Sequence, residues 1–252
     1  MPRLCANITF LFKELPFLER IQAAADAGFD GVEILFPYDD PATEILDRLQ
    51  SAGLPLALIN VPPPNYTGGD RGYAAIPGGE ERFRRDFPRA LRYAQRLKPQ
   101  HLHVMAGRAE GAAARDSFIS NLRWAAVQAP EQSLTIEPLN PRDMPGYFLN
   151  DYNLAAEVIA EVGAQNLGLQ FDTYHAQVIT GDALAAWQQY APLTRHVQVG
   201  NIPDRREPSS EGIDFSAFFA AVKGAGYEGW ISGEYNPSRP TEDTLGWMKM
   251  VG

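Results

Sequence analysis

Eight short apolar runs, each followed by a segment of helical periodicity, restrict the possible folds of this chain more than any other feature. The runs are "LCANITF" (4–10), "GVEILF" (31–36), "LPLALINV" (54–61), "HLHVMAG" (101–107), "SLTIEPL" (133–139), "LGLQFD" (167–172), "RHVQVG" (195–200) and "GWISGEY" (229–235). Between them lie segments such as "FLERIQAAADAGF", where Phe17, Ile21, Ala24 and Ala25 form one apolar stripe and Gly28 supplies the stop. Strands that alternate with helices build a parallel sheet through right-handed crossovers. Eight such units in 252 residues, with no linker or low-complexity break, fit one closed (β/α)8 TIM barrel over the whole chain. An open doubly wound sheet is the alternative. Its usual nucleotide sites are missing, since no G-x-G-x-x-G follows the first run and no P-loop occurs. Two connections, 62–79 and 200–213, are long for a barrel and read as lids or binding loops.

In a barrel the carboxyl ends of the strands converge on the face where chemistry is done. The last four runs end with Glu137 in "TIEPLN", Asp172 in "QFDTYH", Gln198 in "HVQVGN" and Glu234 in "SGEYNP". Acids often end strands simply because loops are solvated. Four oxygen-bearing side chains on four successive strands point instead to a shared site. Three carboxylates brought together repel one another unless a cation joins them. Oxygen donors of this kind suit a hard divalent ion, Mg2+ or Mn2+.

His175, three residues after Asp172, can reach back over such a site as a hydrogen-bond donor. His101 and His103 share a face by alternation and read as packing or supporting residues, and His196 reads as a barrel-interior residue two places deeper than Gln198. Arg71 in "GGDRGYAAIPG" and Arg205 and Arg206 in "PDRREP" suit an anionic substrate, because a guanidinium clamps a carboxylate through two hydrogen bonds. Phe10, Phe12, Phe36 and Tyr38 serve equally well as pocket walls or as core.

A formal net charge of −9, from 31 acidic against 22 basic residues, argues against unspecific binding to nucleic acid or to an anionic membrane. Cys5 is the only cysteine, which excludes an internal disulfide and a cysteine zinc cluster. The N-terminus lacks the pattern of a secretory signal and no run reaches the length of a membrane span, so a cytoplasmic protein is expected. A homo-oligomer is left open, although no helix advertises an interface.

At these residues the sequence resembles the hydroxypyruvate isomerase family, one of the xylose-isomerase-like barrels that also include tagatose epimerases. The resemblance runs through "ANITFLF", "GFDGVEILFPYD", "GGDRGYAAIPG", "IEPLN", "DMPGYFL", "QFDTYH" and "GEYNP". It implies a divalent metal held by Glu137, Asp172, Gln198 and Glu234, with Glu137 and Glu234 as paired acid and base. Gln198 stands where the sugar epimerases usually place a histidine. His175, Arg205, Arg71 and Asn60 are the candidate substrate contacts, and the substrate is a small 2-oxo or hydroxy acid or a sugar. The implied reaction interconverts hydroxypyruvate and tartronate semialdehyde, with 2-oxo-tetronate isomerisation or ketose 3-epimerisation as alternatives on the same site. One segment departs from the family pattern. In "DRREPSSEG" Arg206 and two serines replace glycines, which puts the conformation of that loop in question.

Overall fold

The computed structural model describes residues 1–61 and 71–251. The strands are β1 (Arg3–Asn7), β2 (Gly31–Glu33), β3 (Leu58–Asn60), β4 (His101–His103), β5 (Ser133–Ile136), β6 (Leu167–Asp172), β7 (Thr194–Val199) and β8 (Trp230–Gly233). All pair in parallel, in the order β2-β1-β8-β7-β6-β5-β4-β3. Backbone bonds from Ala57 N to Val32 O (2.7 Å) and from Ile34 N to Leu58 O (3.0 Å) join the two ends, so the sheet closes into the expected barrel.

Eight α-helices wrap the strands among the described residues: α1 (Glu19–Asp26), α2 (Ala42–Ala52), α3 (Glu80–Leu97), α4 (Gly111–Gln128), α5 (Tyr152–Val162), α6 (Thr173–Thr180), α7 (Ala183–Tyr190) and α8 (Phe215–Gly224). In α3, Phe83, Phe87, Ala90, Ala94 and Leu97 are buried, a helical stripe facing the sheet. The sixth unit differs from the sequence reading, which placed a single helix there. Asp172 accepts a bond from Tyr174 N (2.8 Å) and so caps α6 directly after its strand. Asp182 then caps α7 through Ala185 N. The closing "TEDTLGWMKM" is a 3-10 helix, Thr241–Met250. None of these helices is long and apolar enough to cross a membrane.

Alternation divides the strand residues between two environments. Outward residues such as Phe171 pack against helices; its ring lies 5.5 Å from Trp187 and 6.1 Å from Phe218. The inner face holds Asn7, Glu33, His101, His103, Thr135, Gln170, His196, Gln198 and Ser232, all buried. Barrels usually fill this space with branched apolar side chains. Here the main apolar core lies between sheet and helices, and the barrel interior is a polar network.

Two glycines dock the described part of the first long loop. Gly72 has φ +94° and bridges to Ala106, and a Cβ on it would sit 2.1 Å from Met105 O. Gly107, at φ +91°, faces Gly72 O in the same way. Gly72→Ala is therefore expected to lower stability by on the order of 1–3 kcal/mol. A urea titration checks this, and an unchanged midpoint would refute the docking account.

Candidate active site

The sequence-predicted acids do converge. Glu137 follows β5, Asp172 ends β6 and Glu234 follows β8, and all three are buried. Register explains part of this placement, because Asp172 pairs across the sheet with Gln198, and Gln198 with Ser232. Into this cluster reaches Arg205, whose Nη2 lies 2.6 Å from Asp172 Oδ2 and 2.6 Å from Glu234 Oε1. Its guanidinium also stacks over Phe10 (5.0 Å) and Tyr174 (5.3 Å).

The departure from the family loop pattern does not prevent this. Arg205 itself takes the left-handed conformation, φ +53°. Its carbonyl accepts from Asn236 N (2.7 Å), and paired backbone bonds link Asn201 with Arg206. Arg206 turns outward to the carbonyls of Asn236 (3.2 Å) and Pro237 (3.3 Å). The loop is thus tied to the segment after β8 by its own polar groups.

His175 lies beside the acids, its Nε2 at 3.9 Å from Glu137 Oε1 and 3.8 Å from Asp172 Oδ2. One donor atom from each of Glu137, Asp172 and His175 falls within 4.8 Å of the others. The role of the histidine follows from its far side. Nδ1 accepts the backbone N–H of Asn140 at 3.0 Å, so Nδ1 carries no proton. Burial holds the ring neutral by pushing its pKa well below the usual value. The nitrogen that faces Glu137 and Asp172 is therefore Nε2, and a neutral ring with Nδ1 accepting carries its proton there.

Gln198 lies lower in the barrel, within a layer that sequence reasoning missed. Gln170 donates through Nε2 to Glu137 Oε2 (2.9 Å) and to Gln198 Oε1 (2.8 Å), while its own oxygen accepts from Thr135 (3.1 Å). Gln198 Nε2 donates to Glu33 Oε1 (2.8 Å), which also receives Asn7 Nδ2 (2.6 Å). His196 Nε2 lies 2.6 Å from the other oxygen of Glu33. Glu33 lies inside the second run, "GVEILF", and ends a strand only in the observed β2, Gly31–Glu33. Gln170 stands two residues before Asp172 and so shares its face.

Above this layer is a cavity of about 200 Å³. Asn60, Arg71, Glu137, His175, Arg205 and Glu234 of the expected set line it, together with Phe10, His103, Met105 and Leu139. Asp172 and Gln198 are not among its lining residues. His103, read from sequence as a packing or supporting residue, faces the cavity, with Nδ1 3.2 Å from Asn60 Oδ1 and 3.7 Å from Glu137 Oε2. Phe12 by contrast is core, 1% exposed. Arg71 is exposed at the rim, and residues 62–70 of its loop lie outside the described residues. A larger cleft of about 560 Å³ lies between residues 207–216 and 239–250. No buried acids converge there.

The electrostatics of the cluster are unbalanced. Burial raises Asp172 and Glu234 to about 7, against the partial relief that Arg205 gives each of them. Glu137 is pushed well above the ordinary carboxylate range, by burial first and then by Glu234 and Asp172. Burial also raises Glu33, beside Glu234, to about 7. Glu137 Oε1 and Glu234 Oε2 are buried with no hydrogen-bond donor. An oxygen-rich set with spare negative charge and unpaired lone pairs fits a divalent cation.

Comparison with known proteins agrees with this architecture. Residues 21–251 match the xylose isomerase-like TIM barrel family. The chain is 42% identical to a 2-oxo-tetronate isomerase of Cupriavidus necator, covering 99% of this chain and 98% of that protein. It is 36% identical to the hydroxypyruvate isomerase of Escherichia coli, covering 98% of each. A crystal structure described as an AP endonuclease, family 2, from Brucella melitensis superposes with TM-score 0.95 at 41% identity, covering 99% of this chain and 98% of the other. The chain belongs to the xylose isomerase-like TIM-barrel family, among its hydroxypyruvate and 2-oxo-tetronate isomerase members.

Proposed function

We propose that the protein is an isomerase of short 2-oxo acids that interconverts hydroxypyruvate and tartronate semialdehyde by moving one proton between adjacent carbons. The observation that carries this reading is the pair of glutamates on the cavity wall, Glu137 and Glu234, each with one buried oxygen free of any donor. Such oxygens are free to take or give a proton. One glutamate removes the proton from the hydroxymethyl carbon of hydroxypyruvate and the other delivers a proton to the neighbouring carbon, through an enediolate. The hydroxyl proton meanwhile passes from the terminal oxygen to the former carbonyl oxygen. The Nε2–H of His175 donates to a substrate oxygen as its charge grows. Arg205 and Arg71 bind the substrate carboxylate, and Asn60 completes the contacts.

A divalent ion, Mg2+ or Mn2+, would be held by Glu137, Asp172, Gln198 and Glu234. When bound it supplies Lewis acidity that makes the carbon-bound proton easier to remove. A four-carbon substrate, 2-oxo-tetronate, is the second reading, favoured by the 42% identity to the isomerase named for it. The likeness to a D-allulose 3-epimerase structure, 20% identical with TM-score 0.74, concerns the fold alone.

The direct test is proton NMR in D2O of the Mg2+- or Mn2+-loaded protein with hydroxypyruvate, 2-oxo-tetronate and a ketohexose. Deuterium entering hydroxypyruvate while tartronate semialdehyde appears is the expected result. Glu137→Gln and Glu234→Gln should each slow exchange by about 10²-fold or more, and full exchange in both would sink the acid–base assignment.

The raised carboxylates make a second prediction, for the metal-free protein. Asp172 and Glu234 bind their protons more tightly when folded, at about 7, than a carboxyl does unfolded, near ~4. Stability from these groups is complete below the unfolded value and is lost as pH rises through the folded one. In EDTA the melting temperature should therefore fall between about pH 5 and pH 8. Added Mn2+ should flatten that fall, because binding favours the ionised acids. A pH-independent melting temperature in EDTA would mean the acids are already compensated.

A further inference from the structure

We infer that Glu33 is a positioning residue, which fixes the amide of Gln198 so that oxygen rather than nitrogen faces the acid cluster. The inference rests on the metal reading above. Glu33 is fully buried at the end of β2 and does not line the cavity, so it has no route to substrate. Its work must be done through neighbours.

A glutamine side chain has two nearly isosteric orientations, and its partners choose between them. Glu33 is the partner that sets the choice for Gln198. Glu33 Oε1 already accepts from Asn7 Nδ2 at 2.6 Å, so it is an acceptor there, and the group turned toward it is the Gln198 NH2, which donates at 2.8 Å. The Gln198 oxygen is thereby turned the other way, where it accepts from Gln170 Nε2 at 2.8 Å. The same NH2 of Gln170 donates to Glu137 Oε2 at 2.9 Å. One Gln170 nitrogen therefore holds the oxygens of both Gln198 and Glu137.

The polarity of this chain has one sign. If Gln198 turned over, its carbonyl would meet the Glu33 carboxylate and its NH2 would meet the NH2 of Gln170. Both contacts would be mismatched at once, acceptor on acceptor and donor on donor. Asn7 and His196 hold the Glu33 carboxylate from its other directions, at 2.6 Å each. Its place as acceptor is thus fixed independently of Gln198. A ligand amide needs such a lock, because the wrong face presents hydrogens to a cation.

The test is Mn2+ binding, read by electron paramagnetic resonance of the free ion, in wild type, Glu33→Gln and the double variant Glu33→Gln with Gln198→Glu. Unfolding in EDTA is followed in parallel. Glu33→Gln is isosteric but brings its own NH2, which removes the obligatory acceptor beside Gln198 and leaves Gln170 alone to orient it. The dissociation constant should rise about 10–100-fold. The melting temperature in EDTA should not fall with it, because the change removes a buried charge.

The double variant reverses the donor–acceptor pair at the same place. A carboxylate at position 198 presents oxygen in either orientation, and the new amide at position 33 can donate to it. Affinity should return to within a few-fold of wild type. Unchanged affinity in Glu33→Gln, or a loss that the double variant does not repair, overturns the positioning role. Should Glu33→Gln fail to fold, the double variant alone decides, since weak Mn2+ binding in it refutes the scheme. Wild-type protein that binds no Mn2+ would instead overturn the metal reading itself and the inference with it.

Discussion

The central constraint in this molecule is the placement of four carboxylates where little water reaches them. Glu33, Glu137, Asp172 and Glu234 are all buried inside or at the mouth of the barrel, and each is raised above the carboxylate range. Isolated buried charge of this kind is very costly, so every neighbouring choice of residue must reduce it. Arg205 adopts a left-handed backbone and inserts its guanidinium between two of the acids. Gln170, Asn7 and Gln198 spend their amide hydrogens on two others. One guanidinium does not neutralise the cluster, and the unpaired oxygens of Glu137 and Glu234 mark where compensation is missing.

This constraint also explains why the barrel interior departs from the usual apolar filling. A layer of leucine and valine beneath the acids would offer no donors, and each carboxylate would lose its partners. The polar layer costs apolar burial inside the barrel. The molecule recovers burial between sheet and helices, where Phe171, Trp187, Phe218 and Phe219 pack among themselves. Stability and chemistry are thus carried on opposite faces of the same strands, a division that follows from the two-residue period of the strand.

The same period decides how much of the site could be read from the sequence. Strand ends are legible because short apolar runs stop abruptly, and Glu137, Asp172, Gln198 and Glu234 stand at such stops. Asn60 and His175 stand close to others. Gln170 was hidden because it lies inside its run, where a polar residue in "LGLQFD" looks like noise until the strand is known to line a polar interior. Glu33 was hidden because the apolar run "GVEILF" continues past it, and only the fold shows that the strand stops there. His103 was read as a packing or supporting residue, and its partner Asn60 on the neighbouring strand is a contact that only register reveals. The helix α6 was missed for a related reason. Asp172 serves both as an acid of the cluster and as a helix cap, and one residue with two functions gives one sequence signal.

Gln198, as a proposed metal ligand, shows why a neutral ligand asks more of its surroundings than a charged one. A carboxylate offers oxygen whichever way it turns, and a neutral imidazole offers a lone pair once its other nitrogen holds the proton. An amide offers oxygen on one face and hydrogens on the other. Placing glutamine where the sugar epimerases usually carry histidine therefore transfers the burden of orientation to the layer below. Here that layer contains a carboxylate able to accept the NH2 and an amide able to donate to the oxygen. The resulting chain joins β2, β7, β6 and the end of β5, so the geometry of a proposed ligand on one strand is secured by an acid on another that never meets the substrate.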